Sequence, residues 1–144
     1  MYWPPHITVA TIVQRNDTYL MVEESDNGQQ VFNQPAGHLE PGETLFEAAL
    51  RETLEETGWE VELTGFVGLY QYRAENNGVL YHRTAFLAVP VRHTHDKIDA
   101  DITATHWLSL PELNLRPHRS PLVLQSILDA QETGGFPLSL VKHY

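Results

Sequence analysis

One segment, residues 43–57, constrains the fold of this chain more than any other. It follows the turn residues Pro41-Gly42, its apolar residues recur at helical spacing, and Gly58 follows it, so it predicts an α-helix. Placed at ~100° per residue, three carboxylates share an arc of roughly 100°, namely Glu52, Glu55 and Glu56. A neighbouring, mostly apolar arc can face a core: Leu45, Phe46, Ala49, Leu50 and Thr53. The helix therefore requires an apolar layer on one side and leaves an acidic face on another.

The segments on either side of this helix predict β-strands, because they are rich in β-branched and aromatic residues and are separated by turn residues such as Asn76-Asn77-Gly78. The predicted strands are residues 6–14, 18–23, 31–32, 61–73, 80–91 and 103–108. A second helix is predicted over residues 122–131, with Ser120 as its N-cap and Pro121 as its first residue. This order predicts one α/β (α+β) domain over residues 1–144, in which helices cover a mixed sheet.

The charge of the chain restricts its partners. The formal net charge is −10, with 19 acidic residues against 9 basic ones. Such a chain repels phosphates and anionic lipids, so we expect neither a nucleic-acid duplex nor a membrane as a partner. No apolar run approaches the ~20 residues of a membrane span, residues 1–14 do not resemble a secretory signal, and cysteine is absent. From these absences we expect a cytoplasmic protein.

The three glutamates on one helix face indicate a metal site. Glu52 and Glu56 are four residues apart, a spacing at which like charges destabilise a helix by some tenths of a kcal/mol. Mg²⁺ or Mn²⁺ would remove this repulsion, because hard cations prefer carboxylate, carbonyl and water ligands and couple them to phosphate oxygens. One carboxylate could then act as a general base towards water. The ordinary alternative is a solvated acidic face without a metal ion.

The stretch GHLEPGETLFEAALRETLEETGW, from Gly37 to Trp59, matches the pattern G-x5-E-x7-R-E-U-x-E-E-x-G-U, in which U is a bulky apolar residue. It resembles the Nudix box, and its one departure is Thr53 at the first U, which is a packing position. The resemblance implies a Nudix α/β/α sandwich, with a mixed sheet between helices and a loop–helix–loop catalytic motif. It also implies an enzyme that hydrolyses phosphoanhydride bonds with Mg²⁺ or Mn²⁺ as cofactor.

The same resemblance implies roles for the acidic residues of the box. Glu52, Glu55 and Glu56 would be catalytic residues that bind the metal ion. The backbone carbonyl of Gly37 would be a further metal ligand. Glu52 is the first choice for the general base, although in this family the base can also lie outside the box.

Three other box residues have supporting roles by this resemblance. Arg51 would belong to the catalytic apparatus by orienting a glutamate, and it would not touch the substrate. Glu43 would support the loop at the start of the predicted helix, and Gly58 would permit the turn after it. Outside the box, one of the loop acids Glu75, Asp99 and Asp101 could add a ligand or an alternative base, and the sequence does not select among them.

Candidate substrate contacts lie outside the helix. Asn33 and Gln34 lead into the box, so their side chains could face the substrate or could merely satisfy turn backbone groups. Arg73, Arg83 and Arg119 could contact phosphate, since guanidinium groups bind phosphate oxygens well. Arg119 is the first choice because it lies just before a predicted helix, whereas Arg73 is more typical of an exposed arginine. Four aromatic side chains could stack on a substrate ring, although each alone is more typical of packing: Trp3, Phe32, Tyr70 and Tyr72.

The expected substrate is a small nucleotide or pyrophosphate. Beyond the box, the opening PPHITVATIV and the segment RSPLV resemble a small bacterial phosphatase branch of the family, which implies nucleoside tri- and diphosphates or thiamin-type pyrophosphates. One alternative keeps the chemistry but takes ADP-ribose or a dinucleoside polyphosphate. Another alternative is a nucleotide-sensing module that binds its ligand without hydrolysing it. Such a module could lose a box glutamate freely, whereas this sequence retains all of them. The sequence specifies neither the number of metal ions nor the oligomeric state.

Overall fold

The computed structural model of the protein describes residues 4–94 and 97–144, and within them the chain forms seven strands and three α-helices. The strands are β1 (His6–Arg15), β2 (Thr18–Asp26), β3 (Gln29–Asn33), β4 (Ala36–His38), β5 (Trp59–Arg73), β6 (Leu80–His93) and β7 (Ile102–Ser109). The helices are α1 (Leu45–Thr57), α2 (Leu110–Asn114) and α3 (Leu122–Thr133), and a 3-10 turn follows at Leu138–Leu140. None of the helices in these two ranges has the length and apolar character needed to cross a membrane.

The strands form one mixed sheet with the order β3-β2-β1-β6-β5, to which β4 adds by pairing with β1 and β7 by pairing with β2. β1 and β6 run parallel, and the other paired strands run antiparallel. The tight β2–β3 hairpin uses positive φ angles, 52° at Asn27 and 82° at Gly28, which short polar side chains and glycine tolerate. The predicted mixed sheet is confirmed.

Helices cover both faces of this sheet because successive strand residues point to opposite sides. Val9 of β1 and Phe86 of β6 pack towards α1, together with the buried Ala48 and Ala49. On the other face, Ile12 and Ala85 of the sheet share an apolar cluster with Leu113 of α2 and with Val123 and Ile127 of α3. The two apolar clusters confirm the predicted α/β/α sandwich.

The ends of α1 correct one prediction and confirm another. The helix begins at Leu45 and not at Glu43, because Thr44 forms its N-cap. The Thr44 hydroxyl accepts a hydrogen bond from the Glu47 backbone N at 3.1 Å, and the Glu47 carboxylate accepts one from the Thr44 backbone N at 2.8 Å. This capping box fixes the first turn. Gly58 ends the helix with a φ of 75°, as its sequence position predicted.

Two further elements differ from the sequence prediction. Strand β4 was not predicted, because it has only three residues and depends on pairing with the distant β1. Helix α3 begins at Leu122, so Pro121 precedes the helix and is not its first residue, and the helix extends to Thr133. The Ser120 hydroxyl still accepts a hydrogen bond from the Leu122 backbone N at 3.2 Å.

Replacing Ile127 by alanine should destabilise the protein. Ile127 is fully buried beneath α3, whereas Leu128 on the same helix is 47% exposed. We expect Ile127→Ala to lower the free energy of unfolding by about 2–5 kcal/mol and Leu128→Ala by less than about 1 kcal/mol. Urea unfolding followed by circular dichroism measures both values. Equal losses in the two variants would contradict the packing of α3 on the sheet.

Candidate active site

The C-terminal half of α1 brings its glutamates against β4. A Cβ atom at Gly37 would overlap the carboxylate of Glu52, so any other residue here would displace that carboxylate from its observed position. One turn further along α1, the Glu56 carboxylate accepts a hydrogen bond from the Ala36 backbone N at 2.9 Å. Pairing of Gly37 with Val9 fixes β4 to the centre of the sheet. The β4 segment and the end of α1 therefore form one rigid unit.

Arg51 holds the carboxylates around it in place. Its Nη2 donates to Glu43 Oε1 at 2.9 Å and to the His38 carbonyl oxygen at 3.1 Å. Its Nη1 donates to Glu52 Oε1 at 2.7 Å and to Glu55 Oε2 at 3.2 Å. The hydrogen bond from Arg51 holds the pKa of Glu43 below its usual value. Arg51 therefore orients Glu52 and ties the loop before α1 to the helix.

Asp99 joins two of the α1 glutamates. Within residues 4–94 and 97–144, potential ligand oxygens of Glu52, Glu56 and Asp99 all lie within 4.8 Å of one another. The Asp99 backbone N donates to the Glu55 carbonyl oxygen at 2.9 Å, which fixes the loop before β7 against α1. The Glu55 carboxylate lies outside this group of three and contacts Arg51. Its role as a metal ligand stays a prediction.

Burial makes these carboxyl groups difficult to ionise without a nearby cation. Burial raises the pKa of Glu56 to about 9, and neighbouring carboxylates add to the rise. The pKa of Glu52 is also raised, mainly by burial, although Arg51 opposes the shift. A divalent cation would supply the missing positive charge, and carboxylates with a backbone carbonyl suit a hard ion. The donor set therefore fits Mg²⁺ or Mn²⁺ and does not distinguish between them.

A cleft of about 430 Å³ begins at β4 beside these carboxylates and runs between the β2–β3 and β5–β6 hairpins. Arg83 of β6 and Arg119, which precedes α3, are basic residues of its wall. Arg119 Nη1 lies 3.0 Å from Glu24 Oε1 and forms an ion pair with it. Two tyrosines that face each other across the β5–β6 pairing, Tyr72 and Tyr81, also line the cleft. The cleft thus offers both cationic and aromatic contacts.

Arg83 is held by the two amide residues that precede the box. Its Nη2 donates to Asn33 Oδ1 at 3.2 Å and to Gln34 Oε1 at 2.8 Å. Burial lowers the pKa of Arg83 to about 10, so it still carries its charge at neutral pH. Gln34 is fully buried, and its Nε2 donates to the Val123 carbonyl oxygen at 2.7 Å. Gln34 is therefore shielded from the cleft in this structure and its role as a substrate contact stays a prediction, whereas Asn33 lines the cleft.

The aromatic candidates separate into different environments. The Tyr70 hydroxyl donates to Asp129 Oδ2 of α3 at 2.6 Å, and its ring packs against the core, so this residue is not part of the described cleft wall. Its assignment as a substrate contact stays a prediction. Phe32 is buried in the core. Tyr72 lines the cleft, and Trp3 lies outside the described residues.

Comparison with known proteins agrees with this architecture. A family model described as the NUDIX domain matches residues 4–125. The phosphatase NudJ of Escherichia coli strain K12 is 39% identical over 144 residues, and the alignment covers 95% of this chain and 90% of that protein. A solved NUDIX hydrolase from Nitrosomonas europaea is 39% identical, with a TM-score of 0.93 and 98% of each chain covered.

A more distant solved structure shares the fold alone. The NUDIX domain of Shewanella oneidensis NrtR, determined in complex with ADP ribose, is 16% identical with a TM-score of 0.74, covering 91% of this chain and 89% of that chain. The family model and the two relatives at 39% identity support assignment of the chain to a family and not only to a fold. The chain belongs to the Nudix family and is a hydrolase that acts on phosphoanhydride bonds.

Proposed function

We propose that this hydrolase uses Mg²⁺ or Mn²⁺ to cleave nucleoside tri- and diphosphates or thiamin-type pyrophosphates, with release of phosphate. The observation that carries the proposal is the position of a three-carboxylate group beside a cleft that also contains Arg83 and Arg119. The proposed metal ligands are the Gly37 carbonyl oxygen and the carboxylates of Glu52, Glu55 and Glu56, with Asp99 as an addition from the geometry.

Each side chain of the proposed site has a separate role in the reaction. A bound divalent cation supplies charge neutralisation at the phosphate oxygens. Glu52 accepts the proton of the attacking water, and the hydrogen bond from Arg51 at 2.7 Å sets the direction of its carboxylate. Arg83 and Arg119 hold the phosphate chain as water attacks phosphorus and the bridging P–O bond breaks. The products are phosphate and the shortened substrate.

The choice of substrate rests on similarity and on the shape of the cleft. The similar Escherichia coli protein is a phosphatase by name, which supports phosphate as the released product. Tyr72 and Tyr81 supply π-faces for a base or pyrimidine ring. ADP-ribose is the second candidate, since the NrtR domain was solved in complex with it. A dinucleoside polyphosphate is a further alternative, and a non-catalytic sensor would not need the complete set of box glutamates.

A substrate panel distinguishes these possibilities. The purified protein is incubated with Mg²⁺ and with nucleoside tri- and diphosphates, thiamin pyrophosphate, ADP-ribose and a dinucleoside polyphosphate, and phosphate and pyrophosphate are quantified separately. We expect phosphate release from the nucleoside tri- and diphosphates and from thiamin pyrophosphate. Without a divalent cation, we expect no phosphate release from any of them. Pyrophosphate with a monophosphate product, or turnover of ADP-ribose alone, would contradict the proposed substrate class.

Substitution of the site glutamates should impair turnover without unfolding the protein. We expect Glu52→Gln to lower kcat roughly 10²–10⁴-fold, because it removes the proposed base, and Glu56→Gln to raise the Mg²⁺ concentration needed for half-maximal activity. Glu62→Gln, at an exposed position of β5, has the same change in charge and should leave both values unchanged. Wild-type kcat in Glu52→Gln would show that the base lies elsewhere, with Asp99 as the next residue to test.

The raised pKa of Glu56 predicts how stability depends on pH in the absence of metal. The folded state keeps a proton on Glu56 up to about pH 9, whereas the unfolded state loses it near its ordinary value. This contribution to stability is therefore complete at acidic pH and is lost as pH rises towards 9. In EDTA, we expect the Tm to fall between pH 6 and 8.5 by more in the wild type than in Glu56→Gln. Parallel pH profiles in thermal unfolding would refute the assignment.

A further inference from the structure

Arg83 is a buried cation that lies near the carboxylates of Glu24 and Glu56 but forms no direct ion pair with either of them in the described parts of the chain. It is 8% exposed, and within the described parts of the chain none of the ion pairs formed at N–O distances up to 4.0 Å involves it. Its Nε atom is buried and has no hydrogen-bond partner among these residues. An unpaired buried charge is costly, so a chain retains one only where some other interaction compensates for it.

The groups that accept hydrogen bonds from Arg83 are neutral and do not cancel its positive charge. A guanidinium has five N–H donors, and here the amide oxygens of Asn33 and Gln34 both accept from Nη2. Because amide oxygens are neutral acceptors, the positive charge stays available to the cleft that Arg83 lines. A carboxylate at either position would form an ion pair and cancel that charge.

Gln34 fixes the position of this guanidinium. Both ends of its buried amide are used, since Oε1 accepts from Arg83 at 2.8 Å and Nε2 donates to the Val123 carbonyl oxygen at 2.7 Å. Val123 lies in the first turn of α3, so the amide connects this helix to the cleft wall. Gln34 therefore affects a bound ligand indirectly, and its direct hydrogen bond to Arg83 is the shorter route to the cleft.

We propose that Arg83 forms an anion subsite for the phosphate chain of the substrate and that Gln34 is the positioning residue that sets its guanidinium in the cleft. The proposal rests on the proposed function only in taking a phosphate chain as the anion. It predicts that substitutions of Gln34 and Arg83 have non-additive effects on the affinity for pyrophosphate.

Calorimetric binding of inorganic pyrophosphate in the presence of Mg²⁺ tests this unit. We expect Arg83→Lys and Gln34→Leu each to raise Kd about tenfold, because each disturbs a charge-assisted contact. The double variant should bind about as weakly as either single variant, since Gln34 acts through Arg83. Arg92→Lys is the matched control: Arg92 lies on the same strand, is exposed and pairs with Glu60, so its Kd should equal that of the wild type.

Kinetics separate positioning from general damage. In Gln34→Leu we expect KM to rise about tenfold with kcat nearly unchanged, whereas loss of folded protein would lower the apparent kcat and leave KM alone. If Gln34→Leu does not fold, Gln34→Met takes its place in the double-variant cycle, because methionine keeps the unbranched shape and removes the hydrogen bonds to Arg83 and Val123.

Three results would overturn the proposal: no binding of pyrophosphate by the wild type, unchanged affinity in Arg83→Lys, or additive effects of the two substitutions. The proposed function fails independently. A protein that binds pyrophosphate through Arg83 but hydrolyses none of the phosphoanhydrides in the panel would refute the proposed substrates and retain the subsite.

Discussion

The close approach of Glu52 to Gly37 is the contact on which the rest of the site depends. It requires α1 to lie near the sheet, which the small, fully buried residues Ala48 and Ala49 allow. With the helix at this distance, Glu56 reaches the Ala36 backbone N, and α1 can also anchor the loop that carries Asp99. A larger side chain at Gly37 would displace the Glu52 carboxylate from this position.

The sequence predicts those parts of the molecule that local patterns determine. The helical spacing of residues 43–57 identified α1 and its acidic face, and the Nudix box pattern identified the family, because both signals lie within a short stretch. Asp99 could not be selected in advance, since only the fold of β7 onto β2 and the hydrogen bond to Glu55 bring it to α1. The same holds for Gln34, whose partners Arg83 and Val123 are distant in the chain.

The two tyrosines of β5 show where a periodic pattern stops being informative. Tyr70 and Tyr72 are two residues apart on one strand, so they point to the same face of the sheet. Helix α3 covers the first of them, which donates to Asp129, and the second lies beyond the helix in the cleft. Strand periodicity therefore specifies the face of a side chain, while the position of the covering helix decides whether that side chain can contact a ligand.

The distribution of charge explains how an acidic protein can bind an acidic substrate. With a net charge of −10, the chain as a whole repels phosphate. Its two cleft arginines are not equivalent, because Arg119 is already paired with Glu24 whereas Arg83 is bonded only to neutral amide oxygens. The Arg83 guanidinium lies at the cleft without a direct ion pair in the described parts of the chain, and the carboxylates of Glu52, Glu56 and Asp99 suit a cation. The local arrangement of a few buried groups thus governs recognition more than the net charge does.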